Sequence, residues 1–255
     1  LCRHIAELPF ASLPDASARA AKHALLDAVG VMLAASGASA DAAPFIALAR
    51  SGGAGPCAIL GTGARVTAPF AALANGALAH ALDYEDTFDA APCHPNASLV
   101  PATLALAQAL APIDGRRLVS ALALGCDLVC RLALSLRRAM EEGGWYPPPI
   151  LGALGAAAAA ARITGLDAIQ TRDALSLVLC QATAPGEIQH SGRTVIRAVR
   201  EAFPAQAAVR FASNSPMASR GCKARSPTAS TRRRCPSSRR AKVNAIYCAR
   251  PSFSA

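Results

Sequence analysis

The run GALGAAAAAARITG at residues 152–165 constrains the fold more than any other stretch. Ten successive residues, 152–161, carry nothing larger than a leucine side chain. An alanine-rich helix closed by Gly165 suits this run. Its thin surface lets neighbouring backbones approach closely, so we assign it to the core and not to a functional surface. Hydrophobic residues make up 53% of the chain and aromatic residues only 4%. The interior must therefore be built from Ala, Leu, Val and Ile, as in close-packed helices. A chain of 255 residues is long enough for a large core.

Helical spacing recurs along the chain. Helices are expected over 17–36, 42–50, 67 to about 84, 96–111, 114–138, 150–164, 167–182 and 194 to about 211. Thr67 opens one, with Pro69 in its first turn. Asn96 or Ser98 caps another, and Asp167 a third. One strand is expected at Cys57–Gly61, and GGWYPPP at 143–149 reads as a loop. The fold class is all-α, a multi-helix bundle over residues 1–211.

The net charge of +10 is unevenly placed. Residues 212–255 hold ten of the 26 Lys and Arg and no acid, so the rest of the chain is neutral. This basic, low-complexity tail is expected to be disordered or to be the product of a shifted reading frame. Without interleaved aromatics it makes a poor single-strand binding surface, so nucleic acid is not the expected partner. The nine cysteines form no CxxC pair. We expect Cys126 and Cys130 to be buried thiols, no metal or cofactor to be bound, and the compartment to be reducing and cytoplasmic. The run Leu118–Leu136 is interrupted by Asp127 and Arg131, so no membrane span is expected.

Chemistry concentrates in NGALAHALDYEDTFDAAPCHPN, residues 75–96. Asp83, Glu85, Asp86 and Asp89 are four of sixteen acids, and His80 and His94 two of five histidines. One further helical turn would place His80, Asp83, Tyr84 and Thr87 on one face. His94 precedes Pro95, which holds it extended at the start of the next helix. Free N–H groups there would attract a carboxylate. Such a loop suits proton abstraction beside a carboxylate, with His94 as base and Asp83 as its orienting partner or second acid. His80, Asp86 and Thr87 are expected to contact substrate.

These segments resemble the MmgE/PrpD family. The resemblance rests on LLDAVGVMLAASG (25–37), ILGTGARVTAPFAALANGALAHALDYEDT (59–87), HPNASLVPA (94–102) and GALGAAAAAARITGLD (152–167). It implies 2-methylcitrate dehydratase-like, cis-aconitate decarboxylase-like or iminodisuccinate epimerase-like chemistry on small di- and tricarboxylates. It also implies a helical domain joined to a smaller lid domain, and a homodimer. Asp83 and His94 match the family's acid and imidazole. Tyr146 stands at the family's histidine loop, and Arg200, or less favourably Arg197, at its lysine. Since Arg cannot give up a proton near neutrality, the pair Tyr146 and Arg200 would contact substrate carboxylates. The expected function is a lyase, truncated and weakly active or inactive as written because the lid is missing; an epimerase of the same family, or a non-catalytic protein binding nucleic acid through its tail, are the alternatives.

Overall fold

The computed structural model describes residues 1–91, 93–192 and 194–213. In chain order the helices are α1 (Cys2–Glu7), α2 (Asp15–Ala38), α3 (Ala43–Ser51), α4 (Ala68–His80), α5 (Pro95–Ala109), α6 (Gly115–Ser135), α7 (Pro147–Thr164), α8 (Ala168–Val178), α9 (Ile196–Val199) and α10 (Ala202–Ser213). Strands β1 (Ala54–Ala58) and β2 (Arg65–Val66) pair antiparallel. Among the described residues the fold class is all-α with this small hairpin.

The alanine-rich helix α7 lies at the centre, packed against α5, α6, α8 and α10. From Pro147 to Ile163 nearly every residue is buried, as befits a helix that is apolar all round. Its small residues set the spacing. A methyl group on Gly155 would lie 2.9 Å from the Gly125 carbonyl oxygen, and one on Gly125 would lie 2.8 Å from that of Gly155. Helices α6 and α7 therefore cross backbone to backbone. The same device brings α10 onto α4, where a methyl on Gly76 would sit 2.7 Å from the Glu201 carbonyl oxygen.

The hairpin is tied to this bundle by two amide side chains, one buried and one partly buried. Asn75 of α4 accepts from Leu60 N–H and donates to the Ala58 carbonyl, both at 3.0 Å. Gln108 of α5 accepts from Ala58 N–H at 2.6 Å. The strand expected at 57–61 thus lies earlier, and its partner Arg65–Val66 was too short to show a period-2 pattern.

Several boundaries differ from expectation for physical reasons. Helix α4 stops at His80, not near Tyr84, because three carboxylates at 83, 85 and 86 oppose the negative end of the helix dipole. Asp83 then takes φ +53°, a left-handed conformation that short Asp side chains tolerate. Residues 147–149 are not loop. They open α7, where three prolines forgo only N–H groups that would lack an intrahelical partner. The last expected helix is two. Pro204 in the first turn of α10 would clash with the residue 200 carbonyl in a continuous helix, so the chain breaks at Arg200-Glu201. Helix α6 ends at Ser135, short of Arg138, and α1 was not anticipated. Asp167 does cap α8, in a reciprocal capping box with Gln170.

Cys126 and Cys130 are partly exposed, not buried, since they face a cavity beside α2. By length and composition α6 could cross a membrane, but 44% of its apolar window is buried inside the bundle. Residues 212 and 213 belong to α10; the rest of the basic tail lies outside the described residues.

Candidate active site

Helix α4 delivers His80 at its last turn, and the following loop folds back over it. His80 is buried, with 1% exposure. Its Nδ1 meets the Glu85 carboxylate, so that nitrogen carries a proton. Its Nε2 lies 3.3 Å from Asp83 Oδ1, off the hydrogen-bonding direction and without another partner. Glu85 is almost as buried, and its Oε2 is also unpartnered. His80 thus stands between two carboxylates within a tight turn, not on a shared helical face as the spacing suggested.

His94, not the expected Asn96 or Ser98, occupies the N-cap position of α5, and its side chain makes no capping bond. Its Nδ1 lies 3.1 Å from the Asp86 carbonyl oxygen and 3.7 Å from Glu85 Oε1. Donation from Nδ1–H to that carbonyl leaves Nε2 as the nitrogen with a free lone pair. The side chain is 24% exposed, and its ring centroid is 6.0 Å from that of His80. The contacts of His94 are therefore with Glu85 and Asp86, while Asp83 meets His80 and Arg197.

Arg197, from the short α9, forms an ion pair with Asp83. Burial pushes the Asp83 carboxyl up, but the Arg197 hydrogen bond and the charges of His80, Arg197 and Arg200 outweigh it. The group is held below the usual carboxylate range. Both partners are about half exposed, at 49% and 48%, so this guanidinium remains accessible to a ligand.

The expected anion site at the start of α5 is already filled. Pro95 has no N–H, and the Asn96 N–H donates to Asp86 Oδ1 at 3.0 Å while Asn96 Nδ2 donates to Oδ2 at 2.8 Å. Asp86 thereby locks the loop to α5 with both oxygens. Burial raises its pKa more than the Asn96 bonds lower it. Thr87 and Tyr84 are exposed, Tyr84 at 71%.

Arg200 is not at the surface of this site. It is 3% exposed, donates to the Arg197 carbonyl at 2.7 Å, and lies 3.7 Å from the Glu201 carboxylate. Its guanidinium sits over the Tyr146 ring, 4.7 Å from the centroid. Glu201 is fully buried and accepts a hydrogen bond from Ser98 in the first turns of α5. Tyr146 immediately precedes α7 and is half-buried, which pushes its phenol pKa up. Arg197 and Asp83 both act on that phenol electrostatically, so Tyr146 borders the cluster.

The sequence favours Arg200 over Arg197, counts Glu85 among the clustered acids without giving it a role, reads Ser98 only as a possible helix cap, and does not point to Glu201. The acid-rich run already contained Glu85, but the extended helix assumed there turned it away from His80. Ser98 and Glu201 are 103 residues apart and gave no local pattern. For a metal, His80, Asp83 and Glu85 offer ligand atoms within 4.8 Å of one another. Arg197 already holds the Asp83 carboxylate, so a cation there would face a guanidinium.

Comparison with known proteins supplies a context for this geometry. The sequence profile of the MmgE/PrpD N-terminal domain matches residues 1–234. The chain is 28% identical over 213 residues to a cis-aconitate decarboxylase-like protein, oryM, of Aspergillus oryzae, covering 81% of this chain and 44% of that protein. It is 34% identical over 125 residues to human cis-aconitate decarboxylase, covering 48% of this chain and 26% of the human protein. The mouse enzyme matches at the same identity over the same length, with 25% of it covered. The chain spans less than half the length of these relatives.

Proposed function

The chain belongs to the MmgE/PrpD family, and from that premise we propose that it serves a lyase acting on a small di- or tricarboxylate. Decarboxylation of a cis-aconitate-like acid is the first reaction to test, because the relatives above carry that activity in their names. Dehydration of 2-methylcitrate is the second.

One observation carries the reading. A buried imidazole, His80, lies between two carboxylates, with a second imidazole 6.0 Å away and an accessible arginine beside them. Each group has a place in such chemistry. Arg197 has five N–H donors and can hold a substrate carboxylate while keeping its contact to Asp83. His94, with Nδ1 committed to Asp86, presents Nε2 as the base or proton carrier. His80, whose Nδ1 faces Glu85, can pass a proton through Nε2. Loss of CO2 leaves an electron pair on carbon that must take up a proton. Loss of water needs a proton removed from carbon and another given to the departing hydroxyl. Two imidazoles serve either case. Tyr146 borders the cluster, and the Arg200–Glu201–Ser98 contacts lie behind it.

The test is proton NMR of cis-aconitate and of 2-methylcitrate incubated with the chain in deuterated water. Deuterium entering cis-aconitate, or its conversion with loss of CO2, should fall at least 100-fold in His94→Ala. Measurable exchange or turnover that is equal in the wild type and His94→Ala would overturn the assignment. Loss of water from 2-methylcitrate instead would make it a dehydratase.

A further inference from the structure

At the end of α7 away from Tyr146, three guanidiniums collect around a cleft of about 500 Å³. From Tyr146 to Arg162 the helix spans about 24 Å, at roughly 1.5 Å per residue. The cleft is therefore remote from the candidate active site, and the proposed reaction does not use it. Arg116 and Arg117 stand in the first turn of α6, and Arg162 in the last turn of α7. Asp114 is the one carboxylate on the wall, and its Oδ1 accepts from the Arg116 backbone N–H at 3.0 Å as the helix cap. Among the described residues none of these three arginines forms an ion pair.

Each arginine is held differently. Arg162 donates to the carbonyls of Ala6 at 2.6 Å and Leu8 at 2.5 Å, and more weakly to Ile5 and to Ser120 Oγ, both at 3.5 Å. Its donors fasten the end of α1, but its charge is left unanswered. Arg117 Nε donates to the Arg162 carbonyl at 3.3 Å, and its two Nη groups donate to nothing else among the described residues. Gly165 makes room for them. It has φ +75°, and a methyl group there would lie 2.6 Å from Arg117 Nη2. Arg116 is exposed, lies 5.9 Å from the Phe10 ring centroid, and has its whole side-chain fork free. Burial and the adjacent Arg117 charge both lower the Arg162 pKa. Like charges held together and partly buried cost free energy unless something negative answers them.

We propose that this cleft binds a diphosphate group, free or carried by a nucleotide, with the Arg116 and Arg117 forks each on one phosphoryl group and the Arg162 charge behind them. A guanidinium matches phosphate oxygens bidentately, and these two forks are free to do so. A phosphoryl group brings more charge and more acceptor oxygens than a carboxylate, which suits a wall with three guanidiniums and one acid. The side chains make the site, not the helix end. The first amides of α6 are already bound, Arg116 N–H to the Asp114 carboxylate and Arg117 N–H to the Asp114 carbonyl at 2.9 Å. The volume falls within the range of small-ligand sites, roughly 300–1,000 Å³. Phe10 and Leu166 add an apolar wall on which a base can lie.

The test is calorimetric titration of the chain with inorganic diphosphate and with ADP, at low and at raised salt. Both should bind saturably and more weakly as salt rises. The dissociation constant should increase at least tenfold in Arg117→Gln and in Arg116→Ala, with circular dichroism confirming that each variant is folded. Arg162 is left intact because it holds α1. Tighter binding of ADP would identify a nucleotide as the source, and equal affinity the free anion; either result supports the diphosphate site. In the wild type, which needs no variant to fold, diphosphate should shift the side-chain Nε–H NMR signals of Arg116 and Arg117 and leave the imidazoles of His80 and His94 in place. Absence of binding would overturn the proposal. So would an affinity indifferent to both substitutions, as expected if the basic residues beyond 211 held the anion, or shifts confined to the imidazoles. Displacement of diphosphate by an equal concentration of cis-aconitate would overturn the assignment to phosphate.

Discussion

At the residue scale the decisive contact is between Arg197 and Asp83. It holds the Asp83 carboxyl below its ordinary pKa. A depressed carboxyl pKa adds stability above the unfolded value, about 4, and loses it as pH falls through the folded value. Arg197→Ala should therefore raise the Asp83 pKa toward the ordinary range, visible in a carboxyl-carbon NMR titration. The accompanying stability loss at pH 7 should be small, about 0.2–1 kcal/mol, because both side chains are half exposed. It should vanish once Asp83 is protonated in both proteins. An unchanged Asp83 titration in Arg197→Ala would remove this contact from the account. The clustering of Asp83, His80 and His94 was legible in the sequence because titratable groups crowd one loop. Their partners were not. A single left-handed residue, Asp83, redirects everything after it, and no spacing rule anticipates that turn.

At the scale of elements, helix centres were more readable than helix ends. The alanine run of α7 and its closing Gly165 followed from composition. The start of α7 did not, because three successive prolines read equally as a loop and as a helix's first turn. The break between α9 and α10 has the same origin in Pro204, and it decides which arginine reaches Asp83. Where backbones touch, the cost of added volume is predictable. Gly155→Ala would place a methyl 2.2 Å from the Val129 side chain and 2.9 Å from the Gly125 carbonyl oxygen. Urea unfolding should show a loss of about 1–3 kcal/mol, typical of overpacking a tight core. Gly115→Ala, where the added methyl meets nothing within 4 Å, is the control and should not show that loss. Equal stability of the two variants would mean that the α6–α7 crossing is looser than described.

At the scale of the whole molecule, charge and packing are separated along the chain. Residues 1–211 are neutral in sum, and the net charge of +10 arises beyond them. Any affinity for nucleic acid should therefore depend on residues 212–255 and fall steeply with salt. A chain ending at residue 221 should lose most DNA retention in a gel-shift at low salt while keeping its affinity for a tricarboxylate. Loss of tricarboxylate binding on that deletion would tie the tail to the site. The bundle itself was legible as a class, since few aromatic residues and many alanines leave close-packed helices as the way to build a core. The most direct test of the account is a titration of the chain with cis-aconitate, followed through the imidazole NMR signals of His80 and His94. The account predicts saturable shifts of both, with affinity reduced at least tenfold in Arg197→Ala and unchanged in Arg116→Ala. Binding that leaves both imidazoles unshifted, or that is indifferent to Arg197, would contradict it.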